Sequence, residues 1–235
     1  VIPLRDDIDP ERRPWVNLGL IGLNLAAFAY ELSLGQQLDG LFQVNGLVPA
    51  RVLDAETWQT VDLAHQVGPL FSHMFLHGGW LHLIGNLWFL HVFGDNVEGR
   101  LGHGRYLVFY LLCGLAAAAA QVLSAPGSFV PMIGASGAVA GVLGAYFLLF
   151  PGARVLTLVP LVFLFPMLHL PALVFLGFWA LMQFFRGTAE LVGGATDGVA
   201  WWAHVGGFVF GLAYVGLRPA LRLPVRRRRR LVRRR

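Results

Sequence analysis

The chain contains no lysine and only one cysteine, and just 13% of its 235 residues are charged. A single cysteine, Cys113, excludes an internal disulfide or a cysteine-based metal framework. Its place inside an apolar run suits a buried, inert thiol. Soluble domains carry roughly 25% charged residues, so water is a poor match for the solvent around most of this chain. The first apolar run starts near Trp15, and no small-residue cleavage site follows it, so a cleavable signal peptide is not expected.

What is present is hydrophobic: 56% of the residues are apolar and the mean hydropathy is +0.62. Several runs approach the ~20 residues needed to cross a bilayer. The expected fold class is an all-α membrane protein with six transmembrane helices. The expected spans are about Trp15–Leu34, Trp80–Val97, Tyr106–Leu123, Ile133–Phe150, Pro171–Phe185 and Trp201–Leu217. Residues 1–14 read as a short polar tail, 15–217 as the membrane domain and 218–235 as an Arg-rich tail. Residues 35–79 form a connection long enough to be functional or partly embedded. Pro160, Pro166 and Pro171 interrupt the apolar stretch 155–185. Placing Pro171 in the first turn of the fifth span leaves 155–170 at the interface or re-entrant.

All 18 basic residues are Arg, and the formal net charge is +5. With six spans, both termini share one side with the connections near 98–105 and 151–154. Those places hold 16 of the 18 Arg, leaving Arg51 and Arg186 opposite. For a chain expected in a cell's inner (plasma) membrane, the positive-inside rule then predicts cytoplasmic termini. Eight Arg within 226–235 suit an anchor to anionic membrane lipid. No nucleic acid is expected as a partner, because the run has no aromatic interleaving and no accompanying domain.

Polar groups inside membrane spans are costly and point to function by default. His82 and Asn86 lie in the second span at i, i+4 and share a face. Ser136 opens the fourth span, and His204 lies near the start of the sixth. The second, fourth and sixth spans run in the same direction, so all four residues lie at similar depth below the outer surface. Gly207 and Gly211 form a GxxxG pair, and Gly137 and Gly141 offer a matching small surface on the fourth span. A crossing there would bring His204 beside Ser136. A base at that position can accept the serine proton, and unsatisfied N–H groups at the helix start suit a developing oxyanion. His82 also reads as a packing histidine and Asn86 as interhelical glue. Taken together, the four suggest acyl transfer, most simply amide hydrolysis. His73, His77 and His82 lack the spacing of a zinc protease site and have no carboxylate among them, so no metal and no cofactor is expected. His73 and His77 read as loop braces, and His65 and His103 as solvated loop residues.

The stretch Phe71-Ser72-His73-Met74-Phe75-Leu76-His77-Gly78-Gly79-Trp80-Leu81-His82-Leu83-Ile84-Gly85-Asn86 resembles the His-containing segment of rhomboid intramembrane serine proteases. Gly134-Ala135-Ser136-Gly137 resembles their nucleophile motif and Ala203-His204-Val205-Gly206-Gly207 their base motif. Glu98-Gly99-Arg100-Leu101-Gly102 resembles the segment closing the family's second span. The resemblance covers most of 15–217 and implies a six-span, rhomboid-like bundle of the bacterial form. It implies Ser136 as nucleophile, His204 as general base, and His82, Asn86 and the Ser136 backbone N–H as the oxyanion site. It also implies a dyad without an acidic third member, and no carboxylate is expected inside the spans near these groups. Asp197, the acidic residue nearest His204 in sequence, reads as part of the outer loop. Trp58-Gln59 stands where the family often has Trp-Arg. The implied substrates are transmembrane proteins, cleaved near the outer end of a helix in a cavity opening outward. The competing readings are a catalytically silent relative that binds membrane clients and, more distantly, a transporter, for which no internal repeat exists.

Overall fold

In a computed structural model that describes residues 1–160, 165–193 and 198–218, six long helices form the bundle. They are α1 (Trp15–Leu34), α2 (Trp80–Leu101), α3 (His103–Ser124), α4 (Ser136–Leu149), α5 (Ala172–Gly193) and α6 (Trp201–Gly216). Helices are the natural answer for apolar runs in lipid, since every backbone polar group must be satisfied within the segment. The stretches Trp15–Asn45, His103–Ser124 and Ala172–Gly193 are long and apolar enough to cross a membrane. Helix α2 is interrupted by polar residues, whereas α4 and α6 have only 14 and 16 residues.

Helix α4 is the buried centre. At ~1.5 Å per residue it spans about 21 Å, and every residue from Gly137 to Tyr146 is buried. It starts three residues later than expected. Gly134 has φ +120°, and its N–H donates to the His73 carbonyl at 2.8 Å. That turn ends the extended approach and makes Ser136 the first helical residue.

Glycines set how closely the neighbours approach. A Cβ on Gly207 would overlap the Gly137 carbonyl oxygen, and one on Gly211 would overlap that of Gly141. On the other side, Gly137 and Gly141 face Ala117 and Cys113 of α3. Backbone-to-backbone packing of this kind is what small-residue motifs permit in membranes, where apolar burial alone gives helices little reason to associate.

Polar contacts dock the first helix. The Glu98 carboxylate, fully buried at the end of α2, accepts the backbone N–H groups of Val16 at 3.0 Å and Asn17 at 2.7 Å. These lie in the first turn of α1, whose donors have no intrahelical acceptor. Asn17 also donates to the Leu90 carbonyl and accepts from the Tyr106 hydroxyl. The connection 35–79 folds into five short helices and two 3-10 turns, Gly35–Gln37 and His73–Phe75. It is fixed by a bridge between Leu47 and Met132 and by Met74, which fills the space beside Gly114.

Two expectations change. Residues 2–6 are not an idle tail but strand β1 (Ile2–Asp6), paired antiparallel with β2 (Arg154–Leu158), which pairs with β3 (Met167–Pro171). Within 155–170 the described residues 155–158 and 167–170 are therefore paired antiparallel strands, and Pro171 closes β3 instead of opening a helix. In these strands the sheet satisfies the backbone groups that a re-entrant loop would leave exposed. Residues 161–164 and 219–235 lie outside the described residues, and with them nearly all of the Arg-rich tail.

The sheet is pinned to the bundle by Asp6, whose carboxylate accepts from the Tyr146 hydroxyl at 2.5 Å and from Asn96 Nδ2 at 2.7 Å. Burial pushes its pKa up from 3.8 to about 7, assisted by Asp95 and Asp7 and opposed by the Tyr146 hydrogen bond. A carboxyl raised in the folded state binds its proton more tightly there than in the unfolded chain, so its contribution is complete below pH ~4 and is lost as pH rises through 7. Reversible unfolding in detergent should show stability falling between pH 4 and 7, and Asp6→Asn, which keeps an acceptor, should flatten that slope.

Candidate active site

The start of α4 and the first turns of α2 and α6 meet in one cavity of about 720 Å³. Ser136, His204, His82 and Asn86 all line it. The Ser136 hydroxyl lies 2.8 Å from His204 Nε2, within hydrogen-bonding range. The α4–α6 backbone contact puts them there, because His204 precedes Gly207 by one turn and Ser136 precedes Gly137. Ser136 is half-buried and His204 is 9% exposed. The two histidine-flanking rings belong to Trp179 and Trp201, with centroids 6.0 Å from the imidazole in both cases.

On the α2 side, His82 Nε2 faces Gly134: a Cβ there would sit 2.5 Å from that nitrogen, and 3.7 Å from Asn86 Nδ2. Gly134 is thus required for its positive φ and for this approach, and it does not contribute to helix packing as Gly137, Gly141, Gly207 and Gly211 do. Its glycine lets the turn before Ser136 pass directly beneath the two α2 side chains.

Asn86 is oriented by the loop. Its Nδ2 lies 3.0 Å from His77 Nε2, and His77 Nδ1 lies 3.2 Å from the Phe75 carbonyl. A carbonyl can only accept, so Nδ1 carries the proton and Nε2 accepts from the Asn86 amide. Burial, then the neighbouring His82, pushes the His77 pKa down to about 4, which keeps the ring neutral for that role. The His77 backbone N–H donates to both oxygens of Glu31, at 3.1 and 3.2 Å. Glu31 is 1% exposed and lies in α1. A buried carboxylate therefore does stand inside a helix close to this group, contrary to expectation, although it braces the loop and does not touch His204. His73 is likewise a brace, bonded through Nδ1 to the Pro69 carbonyl.

Gln183 of α5 was not expected. Its Oε1 lies 2.8 Å from His204 Nδ1, and the side chain is 8% exposed. The only signal in the sequence is that it is a polar residue inside an apolar run. Asp197 lies outside the described residues. His65 pairs with Asp62 on the exposed loop, whereas His103 opens α3 and contacts the buried Glu98. Among the described residues, no three His, Cys, Asp or Glu side chains converge as metal ligands.

If Glu31 holds the loop, Glu31→Ala should leave the His77 amide without an acceptor. Hydrogen exchange across residues 73–79 should then quicken by about tenfold or more, corresponding to ~1.4 kcal/mol of lost protection.

Residues 64–219, about two-thirds of the chain, match the Rhomboid domain. RHOMBOID-like protein 5 of Arabidopsis thaliana is 31% identical over 112 residues, covering 48% of this chain and 33% of that protein. Rhomboid-like protein 11, chloroplastic, of the same organism is 30% identical over 144 residues, covering 58% and 43%. The human presenilin-associated rhomboid-like protein, mitochondrial, is 26% identical over 200 residues, covering 75% and 48%. The chain spans between a third and a half of the length of these relatives. With its apolar helices packed around α4 and the Rhomboid domain matched over most of its length, this membrane protein belongs to the rhomboid family.

Proposed function

We propose that this chain is an intramembrane serine endopeptidase that hydrolyses peptide bonds in or near transmembrane segments of other membrane proteins. The observation that carries the reading is the 2.8 Å contact between the Ser136 hydroxyl and His204 Nε2 at the start of α4, inside a cavity. As the first residue of α4, Ser136 has no preceding turn of its own helix whose carbonyl its hydroxyl could bond. The hydroxyl is turned to an imidazole on another helix.

In the proposed reaction His204 Nε2 takes the hydroxyl proton as Ser136 Oγ attacks the scissile carbonyl carbon. The resulting oxyanion is held by the Ser136 backbone N–H, His82 and the Asn86 amide N–H not given to His77. Each such donor is worth about 3 kcal/mol in the transition state. His204 then delivers its proton to the leaving amine, and water hydrolyses the acyl-enzyme by the same steps in reverse roles. The cavity supplies a place for that water within a largely apolar bundle.

The membrane proposed is a cell's inner membrane; the charge distribution supports six crossings of it with both termini cytoplasmic, so that the cavity opens on the opposite face. The Arg-rich C-terminal segment would add an anchor to anionic lipid. A substrate helix has to unwind to present its peptide bond, which favours segments with small or helix-breaking residues near the outer surface. A catalytically silent relative that binds clients shares the fold and needs neither Ser136 nor His204.

The test is cleavage of a fluorescently labelled transmembrane substrate in proteoliposomes. Ser136→Ala and His204→Ala should each lower the rate by at least about 10³-fold while the protein still binds substrate. Unchanged cleavage in either variant contradicts the reading, and absence of cleavage by the parent favours the client-binding alternative.

A further inference from the structure

The amide of Gln183 makes two contacts that fix each other. Its Nε2 lies 3.2 Å from the Trp179 carbonyl, one turn earlier on α5. A carbonyl accepts only, so the amide nitrogen must face it and the amide oxygen must face away. That oxygen lies 2.8 Å from His204 Nδ1. An amide oxygen also accepts only, so Nδ1 must carry the ring proton. In the neutral imidazole this leaves Nε2 bare, and Nε2 is the nitrogen 2.8 Å from the Ser136 hydroxyl.

We infer that Gln183 is a positioning residue that holds His204 in the tautomer able to accept the Ser136 proton. This deepens the protease reading and rests on it for its catalytic consequence, although the tautomer itself does not depend on activity. The site then has a neutral third member on α5, supplied by an amide where many soluble serine hydrolases use a carboxylate. A neutral acceptor suits this place. Gln183 and His204 are both more than nine-tenths buried, and an unpaired carboxylate there would carry a large desolvation cost. The same helix contributes the Trp179 ring beside the imidazole, so α5 holds His204 at two points. A displacement of α5 would release both at once and leave Nδ1 and Nε2 free to exchange the proton.

The decisive readout is nitrogen NMR of protein labelled with ¹⁵N-histidine in lipid bilayers, with the His204 signals identified by their loss in His204→Ala. The parent should show a protonated Nδ1 and an unprotonated Nε2 at neutral pH. Gln183→Met, similar in shape but without the acceptor oxygen, should populate the Nε2–H form. Gln183→Glu, whose buried carboxyl in its protonated form can donate its O–H to the Trp179 carbonyl and accept from Nδ1 with the other oxygen, should return the proton to Nδ1. In the proteoliposome assay Gln183→Met should lower kcat by roughly 10- to 100-fold with KM within about twofold, and Gln183→Glu should recover part of the loss. An Nε2–H imidazole in the parent overturns the inference, as does a Gln183→Met spectrum identical to that of the parent. If the parent shows the Gln183-dependent tautomer yet cleaves nothing, the inference stands and the protease reading falls.

Discussion

The close contact between the α4 and α6 backbones is the constraint on which the rest of this structure depends. Gly207 and Gly211 each leave a carbonyl of α4 where a side chain would otherwise stand. In lipid, apolar side chains gain little by leaving one hydrocarbon environment for another, so association relies on dispersion and on polar contacts worth about 0.6 to 2 kcal/mol each. Dispersion falls steeply with distance, so helices without side chains in the seam gain the most. Adding even one methyl group at Gly211 would push the backbones apart and carry His204 away from Ser136.

Around that seam, polar groups fix what glycine cannot. Glu98 holds the start of α1 to the end of α2, Glu31 holds the loop before α2, and Asp6 holds the sheet to α4 through Tyr146. Each is a carboxyl group that accepts hydrogen bonds from backbone, amide or hydroxyl donors, and none of the three contacts the proposed dyad. The proposed chemistry is carried by neutral groups: a hydroxyl, imidazoles, amides and backbone N–H. This division fits the medium. A charge within the cavity would have to be desolvated, whereas neutral donors become charge-stabilising only when the oxyanion forms.

Much of the fold is legible in the residues. Helix α1 follows its apolar run from Trp15 to Leu34, and α6 follows Trp201 to the glycine-rich seam. The approach of His204 to Ser136 could be anticipated because both precede matched glycines by a fixed number of residues. The sheet was not legible. Its first strand is five residues of mixed character, and its partner lies about 150 positions away, so no local pattern announces the pairing. The start of α4 at Ser136 instead of Ile133 depends on the φ of Gly134, which apolar periodicity does not encode. Gln183 and Glu31 carry the same signal as His82, a polar group inside an apolar run. Nothing in the sequence ties them to the site, because their partners lie 21 and 46 positions away.

The central claim is that the fold activates one serine. A fluorophosphonate probe reports this without any substrate, because it reacts covalently with a hydroxyl whose proton is taken by a base. In detergent-solubilised protein the account predicts labelling at Ser136, located by peptide mass spectrometry, and its loss in both Ser136→Ala and His204→Ala. Labelling that persists in His204→Ala, or a folded parent that does not react, would contradict it.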